Sequence, residues 1–502
     1  MAVAASLLSE SIRLNPTMGS VLILSAIILY FLGSCLYSVF WHPLAKIPGP
    51  RLYGLTVIPY YYHLLRGDWH AVLKQVHDHY GPVVRIGPKD VSFTGAEALK
   101  GIYGHKGSGS AARTFQKDRA FYGDDIPHAT IFNANNDDHK RIRRLLSHAF
   151  SEKALQSQED IMKLYVDMFI DKLTEQSRQG NVIDITEWYN FATFDLVGHL
   201  AFGEPLGCLE KGGYHPWVSL IFGTMKQFVY RFIIERLGLG SLTVLFMPKH
   251  LKLSIQEHRE FSHKTAEARI ARDTQTPDFL SYVLRHNDEK GMVHGEILEL
   301  ADVLVIAGSE TTATLLSGTT YFLLRDRTKY DQLVREIRSE FQSEDEITIA
   351  RVNQLSYTVA VLNEGLRMYP PVPFGLPRKV PSSGDSMQGY WLPDKASITH
   401  WATFRSENNF TQSQSFIPER WLGDSRFDDD KKAVLQPFSV GPRNCIGKNL
   451  AYAESRLLLV RLLWKFDLEL MSPKKHWDDQ LTFVMWDKKP LQIRLTEVVR
   501  TT

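Results

Sequence analysis

The chain has 502 residues, 44% of them hydrophobic and 23% charged, which is ordinary for a globular protein with a large core. Its formal charge of +2 excludes the strongly basic class that binds nucleic acid. Cys35, Cys208 and Cys445 are its three cysteines, too few for a disulfide framework and suited to a reducing compartment.

No Asp, Glu, Lys or Arg occurs between Arg13 and Lys46, and Ser20 to Phe40 is almost wholly apolar. As a helix that stretch spans ~30 Å, enough for a bilayer core. Tyr37, Phe40 and Trp41 crowd its end, as interfacial aromatics do. A cleaved signal peptide is the competing reading, but the apolar run is too long and no small-x-small cleavage site follows. Residues 1–45 therefore read as a tail and retained anchor and residues 46–502 as the body, in a chain whose length alone allows about two to four domains. Lys46 and Arg51 after the segment, against Glu10 and Arg13 before it, give a slight positive bias that places the body in the cytosol. Lys46-Ile-Pro-Gly-Pro50 makes a stiff, non-helical link.

From Leu52 to Tyr80 the apolar spacing predicts helix, stopped by Gly81-Pro82. Val83 to Phe93 reads as two strands around Gly87-Pro88, and residues 101–114 as loop without a phosphate-loop pattern. A basic helix starts at His139. His139 and Arg143 share one face and point at an anion, unless that face is only solvated or a docking patch. Residues 151–290 alternate amphipathic helices with breaks at Gly203–Gly213 and Gly238–Gly240. The apolar run from Trp217 to Leu237 between them reads most simply as core.

Glu296 to Leu324 predicts a long buried helix carrying Gly308, Glu310, Thr311 and Thr312 in its middle. A buried carboxylate is costly. Threonine back-bonding and glycine weaken a helix locally, so a kink with a small polar groove is expected there. A satisfied polar cluster without chemistry is the alternative. Glu364 and Arg367 share a face near the end of a helix stopped by Pro370-Pro371. Residues 379–400 read as β-hairpins, and Leu481–Trp486 with Leu491–Leu495 as a further strand pair. Cys445 lies in a tight loop framed by Gly441, Pro442 and Gly447, ahead of a helix from Lys448 to Trp464. The helix N-terminus and Arg443 favour a thiolate there, as a metal ligand requires. On spacing alone a structural cysteine is an equal alternative.

Phe438-x-x-Gly441-x-Arg443-x-Cys445-x-Gly447 resembles the haem-binding signature of cytochromes P450. Ala307-Gly-Ser-Glu-Thr-Thr312 is similar to the family's oxygen-activation motif, Glu364-x-x-Arg367 to its helical acid–base pair, and Pro418-Glu-Arg-Trp421 to its meander. The resemblance spans residues 46 to 500 in the family's order. It implies a mainly α cytochrome P450 fold with a small β-rich lobe behind one N-terminal transmembrane helix. It implies haem b with Cys445 as axial thiolate and metal ligand, pushing electron density onto iron and favouring O–O cleavage. Arg443, Arg378 and Arg143 would neutralise the propionates, with His139 standing where the family often has tryptophan. Phe438 would shield the sulfur, and Gly447 belongs to the same cofactor loop. Thr311 takes the oxygen-activating position and Glu310 the proton relay. Glu364, Arg367 and Arg420 are implied to be a structural network, and Trp421, where phenylalanine is common, is expected to be neutral. Val372 and Phe374 would edge the distal pocket. The roof would come from 217–237, and the tip of the C-terminal strand pair would enter the pocket.

The same resemblance implies a haem-thiolate monooxygenase of the endoplasmic reticulum membrane, single-pass, with its catalytic domain cytosolic. Electrons would come from NADPH through a separate NADPH-cytochrome P450 reductase, with cytochrome b5 as a second donor, because no flavin or dinucleotide domain is fused. The motif wording is similar to filamentous-fungal P450s of secondary metabolism, of the isotrichodermin C-15 hydroxylase-like kind. That analogy implies a lipophilic terpenoid, polyketide or polyketide–peptide substrate. A haem-thiolate isomerase, dehydratase or oxidative ring-rearranging P450 is the alternative, against which the intact Glu310-Thr311 pair argues. A non-catalytic membrane haem protein is a third reading, against which the full set of expected haem contacts argues.

Overall fold

The computed structural model describes residues 16–106, 114–123, 128–240, 249–272, 276–472 and 476–499. Helix α1 (Pro16–Phe40) begins four residues before the expected Ser20. Its Gly19–Phe40 stretch has a mean hydropathy of 2.2 and its most apolar window is not buried against the body, so it is a candidate membrane span. Ser38 at its base is buried. Arg85 donates from Nη1 to the Ser38 carbonyl at 2.7 Å and from Nη2 to its hydroxyl at 2.8 Å. The Ser38 hydroxyl in turn donates to the Gly54 carbonyl. Gly49 permits the same close join, since a Cβ there would stand 2.6 Å from the Arg85 carbonyl oxygen.

The helical reading of 52–80 resolves into three pieces, Arg51–Leu55, Ile58–Arg66 and Trp69–Tyr80. Gly67, at φ +76, ends the second in a left-handed cap that continuous periodicity does not reveal. Strands β1 (Val83–Arg85) and β2 (Asp90–Phe93) follow as expected. The loop expected at 101–114 falls partly outside the described residues, and the helix Ala96–Tyr103 reaches into its start. Strand β3 (Gln116–Lys117) comes next, then α2 (Asn136–Ala149). Helix α2 begins before His139 because the Asn135 side chain accepts from the Asp137 and Asp138 amides.

The helical body then runs through α3 (Glu159–Arg178), strand β4 (Val182–Asp184), α4 (Ile185–Phe202), α5 (Pro216–Arg236) and α6 (His294–Arg325). Helix α7 (Ser356–Met368) and the late helix α8 (Lys448–Lys465) complete the large core. Helix α4 is buried on nearly every side, as an apolar helix without an amphipathic stripe must be. It meets α6 at Gly308, where an added Cβ would lie 3.0 Å from Val197 Cγ1. Gly308 thus serves close helix packing. Secondary structure is unbroken from His294 to Arg325 across the position of the expected kink.

Strands β5 (Arg378–Lys379), β6 (Asp385–Met387), β7 (Tyr390–Leu392) and β8 (Lys395–Ile398) form the small lobe with β1–β3. Strands β6 and β7 make a hairpin turned at Gln388-Gly389, both at positive φ. Strand β8 instead runs parallel to β2, in a five-stranded sheet ordered β1-β2-β8-β5-β3. Near the C-terminus lie β9 (Phe466–Leu470), β10 (Leu481–Phe483), β11 (Met485–Asp487) and β12 (Gln492–Glu497). The expected pairing of 481–486 with 491–495 does not form. Strands β10 and β11 fold on each other around Val484, at φ +75, while β12 lies between β4 and β9. Alternation specifies a strand but not its partner.

Candidate active site

The cysteine loop is shaped by backbone before any side chain acts. Gly441 has φ +76, and a Cβ there would stand 2.1 Å from the Tyr103 carbonyl oxygen. The Cys445 amide donates to the Phe438 carbonyl at 2.8 Å and closes the loop. Arg143 of α2 braces it from outside, donating to the Asn444 carbonyl at 2.7 Å and its side-chain oxygen at 2.6 Å. Phe438 packs on Tyr452 at 5.1 Å. Gly447 is under less steric demand, since a Cβ there would stand 4.0 Å from the Cys445 sulfur. Cys445 faces an accessible surface. Desolvation by the surrounding protein pushes its thiol pKa up, against the Gly447 amide and the charges of Arg143 and Lys448. The helix N-terminus alone therefore does not secure a thiolate. A coordinated metal ion does, because coordination deprotonates a thiol outright.

A nest of cations lies close by, Arg378 buried and Lys117, Arg143 and Arg443 half-buried. The β3–β5 register sets Lys117 opposite Arg378, a like-charge pairing that is unfavourable on its own. Arg378 is 4% exposed and its Nε has no partner. Lys117 is pushed well below the ordinary lysine pKa, by burial first and then by Arg378 and Arg443. Arg443 donates to the Ala134 carbonyl and the Asn136 side chain, both at 2.8 Å. Burial and Arg378 bring its pKa down to about 10. His139 falls to about 3, from burial and then Arg443, Lys117, Arg143 and Arg378, so its imidazole is neutral. The buried Tyr122 hydroxyl has no partner. Among the described residues, Lys117, Arg143, Arg378 and Arg443 form no ion pair with a carboxylate. This cluster, with an orphaned guanidinium nitrogen and an orphaned phenol, fits a buried dianion such as the propionates of haem. Lys117 and Tyr122 are absent from the motifs, so only the fold reveals them.

Helix α6 is buried along most of its length but opens in the middle, where Ala307 is exposed and Gly308 and Thr311 are half-buried. The Thr311 hydroxyl donates to the Ala307 carbonyl at 2.7 Å, and that of Thr312 to the Gly308 carbonyl at 3.2 Å. Glu310 is one step round the helix and buried. Its Oε1 pairs with Lys488 Nζ at 2.6 Å and accepts from the Thr314 hydroxyl at 3.2 Å, while its Oε2 has no partner. Behind Thr312 sits the buried Glu454 of α8. Burial pushes its pKa up to about 8, opposed by the Thr312 hydroxyl. An aromatic cluster packs α5 against the segment before α2 and the chain after α7. Phe121 stacks on Phe374 at 5.5 Å and meets Phe228 and Phe232 of α5 edge-on at 5.2 and 5.4 Å.

Glu364, Arg367 and Arg420 come together and are wholly buried. Arg367 grips Glu364 at 2.8 and 2.9 Å, and Arg420 Nε reaches Glu364 at 3.2 Å while its Nη1 pairs with Asp430. Trp421 is not neutral, contrary to expectation. Its indole N–H donates to Glu364 Oε2 at 3.0 Å, a bond phenylalanine cannot make.

Residues 48–495 match the cytochrome P450 family. The chain is 43% identical over 465 residues to the cytochrome P450 monooxygenase astA of Talaromyces wortmannii, covering 92% of this chain and 93% of that protein. It is 42% identical over 484 residues to aclL of Aspergillus oryzae, covering 95% and 98%. Over 481 residues it is 42% identical to atr2 of Stereocaulon alpinum, covering 94% of each. Both are likewise named cytochrome P450 monooxygenases. The motifs, the cation nest and these relatives agree: the chain belongs to the cytochrome P450 family and is a P450 monooxygenase of the fungal kind.

Proposed function

We propose that this enzyme inserts one oxygen atom of O2 into a lipophilic small molecule, a terpenoid, polyketide or polyketide–peptide intermediate of secondary metabolism. The observation that carries this reading is the opening in α6, where Thr311 meets an accessible surface and Glu310 backs it. By resemblance to the family, the apolar segment 217–237 would roof the pocket, which suits a lipophilic substrate. When bound, haem would supply the one-electron and O2 chemistry, and Cys445 would hold its iron.

The chain's own residues do the rest. Arg378, Arg443 and Lys117 hold the propionates, and neutral His139 donates a hydrogen bond beside them. Arg143 fixes Asn444 and so the attitude of the cysteine loop. Phe438, packed on Tyr452, would shield the sulfur. Thr311 and Glu310 hold and pass protons to the reacting oxygen. NADPH-cytochrome P450 reductase supplies electrons, and cytochrome b5 is a second donor. Residues 1–45 anchor the enzyme once through the endoplasmic reticulum membrane, and residues 46–502 form the cytosolic catalytic domain.

The test is the carbon monoxide difference spectrum of the reduced protein. The red-shifted thiolate band is expected and should be lost in Cys445→Ala; a variant that kept both band and turnover would end the assignment. Label from isotopic dioxygen should appear in the product, and its absence would favour an isomerase or dehydratase.

A further inference from the structure

We propose that Lys488 and Asn190 are positioning residues for Glu310, and that the cavity they share is its water inlet from bulk solvent. This rests on the relay reading of Glu310 given above. Glu310 and Thr311 are adjacent but face different spaces. Thr311 lies on the face with Ala307 that opens at mid-helix. Glu310 instead borders a cavity of about 280 Å³ between α4, α5 and the C-terminal hairpin.

Three features of that cavity point to water. Glu310 and Asn190 both line it, and Glu310 Oε2 and Asn190 Oδ1 are buried beside it with no hydrogen-bond partner among the described residues. Buried acceptors are rarely left unsatisfied. The volume exceeds what a few waters need, and polar atoms are available to hold them. The far rim carries Glu187, Lys226 and Asp487, all exposed, so the cavity runs from the surface to a buried acid.

Lys488 sets the inner end. Its Nζ lies 2.6 Å from Glu310 Oε1 and 2.9 Å from the Thr314 hydroxyl, with lysine and glutamate side chains each only 6% exposed. One carboxylate oxygen is thereby pinned and the other left for water. Asn190 is held in turn, since its Nδ2 donates to the Tyr214 hydroxyl at 2.8 Å. Each proton that Glu310 passes towards Thr311 is replaced from the adjoining water, and bulk water restores that one, so no charge accumulates. Lys488 belongs to the segment after β11, whose Asp487 pairs with Lys226 of α5 at 3.0 Å. The residue that aims the acid is therefore tied to the roof over the substrate.

Two measurements test this on the haem-loaded, full-length enzyme. A high-resolution crystal structure should show water within hydrogen-bonding distance of both Glu310 Oε2 and Asn190 Oδ1, and a dry cavity overturns the proposal. Asn190→Leu and Lys488→Met should each lower product formed per NADPH about tenfold and raise the solvent isotope effect, short of the ~10²-fold loss for removing the relay itself. Lys488→Arg should restore coupling, which a merely structural lysine would not require; the thiolate band confirms that each variant is folded. Full coupling in Asn190→Leu beside an uncoupled Glu310→Gln overturns the inlet and leaves the relay standing. Full coupling in both overturns the relay reading, and the inlet with it.

Discussion

Glu364 and Glu310 are both buried acids with basic partners, but their surroundings differ. Both oxygens of Glu364 are engaged, by Arg367, Arg420, Trp421 and the Ile417 amide. Glu310 has one oxygen paired and one bare. The cations divide in the same way. Arg367 and Arg420 are neutralised by carboxylates, whereas Lys117, Arg378 and Arg443 are crowded together without one among the described residues. A buried charge network gains rigidity only when every member is satisfied. The Glu364 side of the molecule meets that condition by itself. The Glu310 side and the cation nest keep unmet valences, which ligands, water and protons can fill.

The largest effect should come from breaking the satisfied network. Arg367→Ala breaks a buried ion pair and leaves Glu364 to Arg420, Trp421 and the Ile417 amide, at a cost of about 3–5 kcal/mol, and thermal unfolding with the thiolate band should show a destabilised, haem-poor protein. Wild-type melting would break the comparison. On the unsatisfied side, Thr311→Ala should leave melting nearly unchanged while product per NADPH falls by roughly 10²-fold. A large drop in stability with coupling intact would make Thr311 a packing residue.

Trp421→Phe sharpens the contrast, because it removes one bond to a charged acceptor, worth about 1.5–3 kcal/mol. Chemical denaturation reads that loss directly, and no loss would mean that Glu364 is over-provided.

The smallest effect at neutral pH should be Glu454→Gln. Glu454 titrates near 8 when folded, against an ordinary value of 4.5. Between those values the folded chain holds a proton that the unfolded chain has released, so stability falls as pH rises, by up to ~1.4 kcal/mol per pH unit. The stabilisation is complete below the lower value and spent above the higher one. Glutamine mimics the protonated acid, so the variant should flatten that slope. An unchanged pH profile would show that Glu454 does not hold the proton.

Motifs made the chemistry legible where chain neighbours carry it. Cys445 with its glycines, Ala307–Thr312 and Glu364 with Arg367 each lie within one short stretch. What stayed hidden depends on contacts between distant segments. Lys117 joins the cation nest only because β3 pairs with β5. Lys488 reaches Glu310 across 178 residues of sequence because β10 and β11 fold on each other, where alternation had suggested a partner further along. Trp421 looked interchangeable with phenylalanine because no pattern encodes where an indole N–H points. Gly308 was legible as a special position but not for its reason, which is the side of Val197 on another helix.

Arg85 fixes more than a loop. Two of its nitrogens end on Ser38, and the Ser38 hydroxyl ends on Gly54, so the last turns of α1 are bolted to the body. A membrane span joined this way acts as a keel. Were α1 to lie in a bilayer, any tilt imposed on it would become a rotation of the whole enzyme, set by one guanidinium. Trimming the chain past Ser38 to obtain a soluble form would remove that guide and leave a buried cation short of two acceptors.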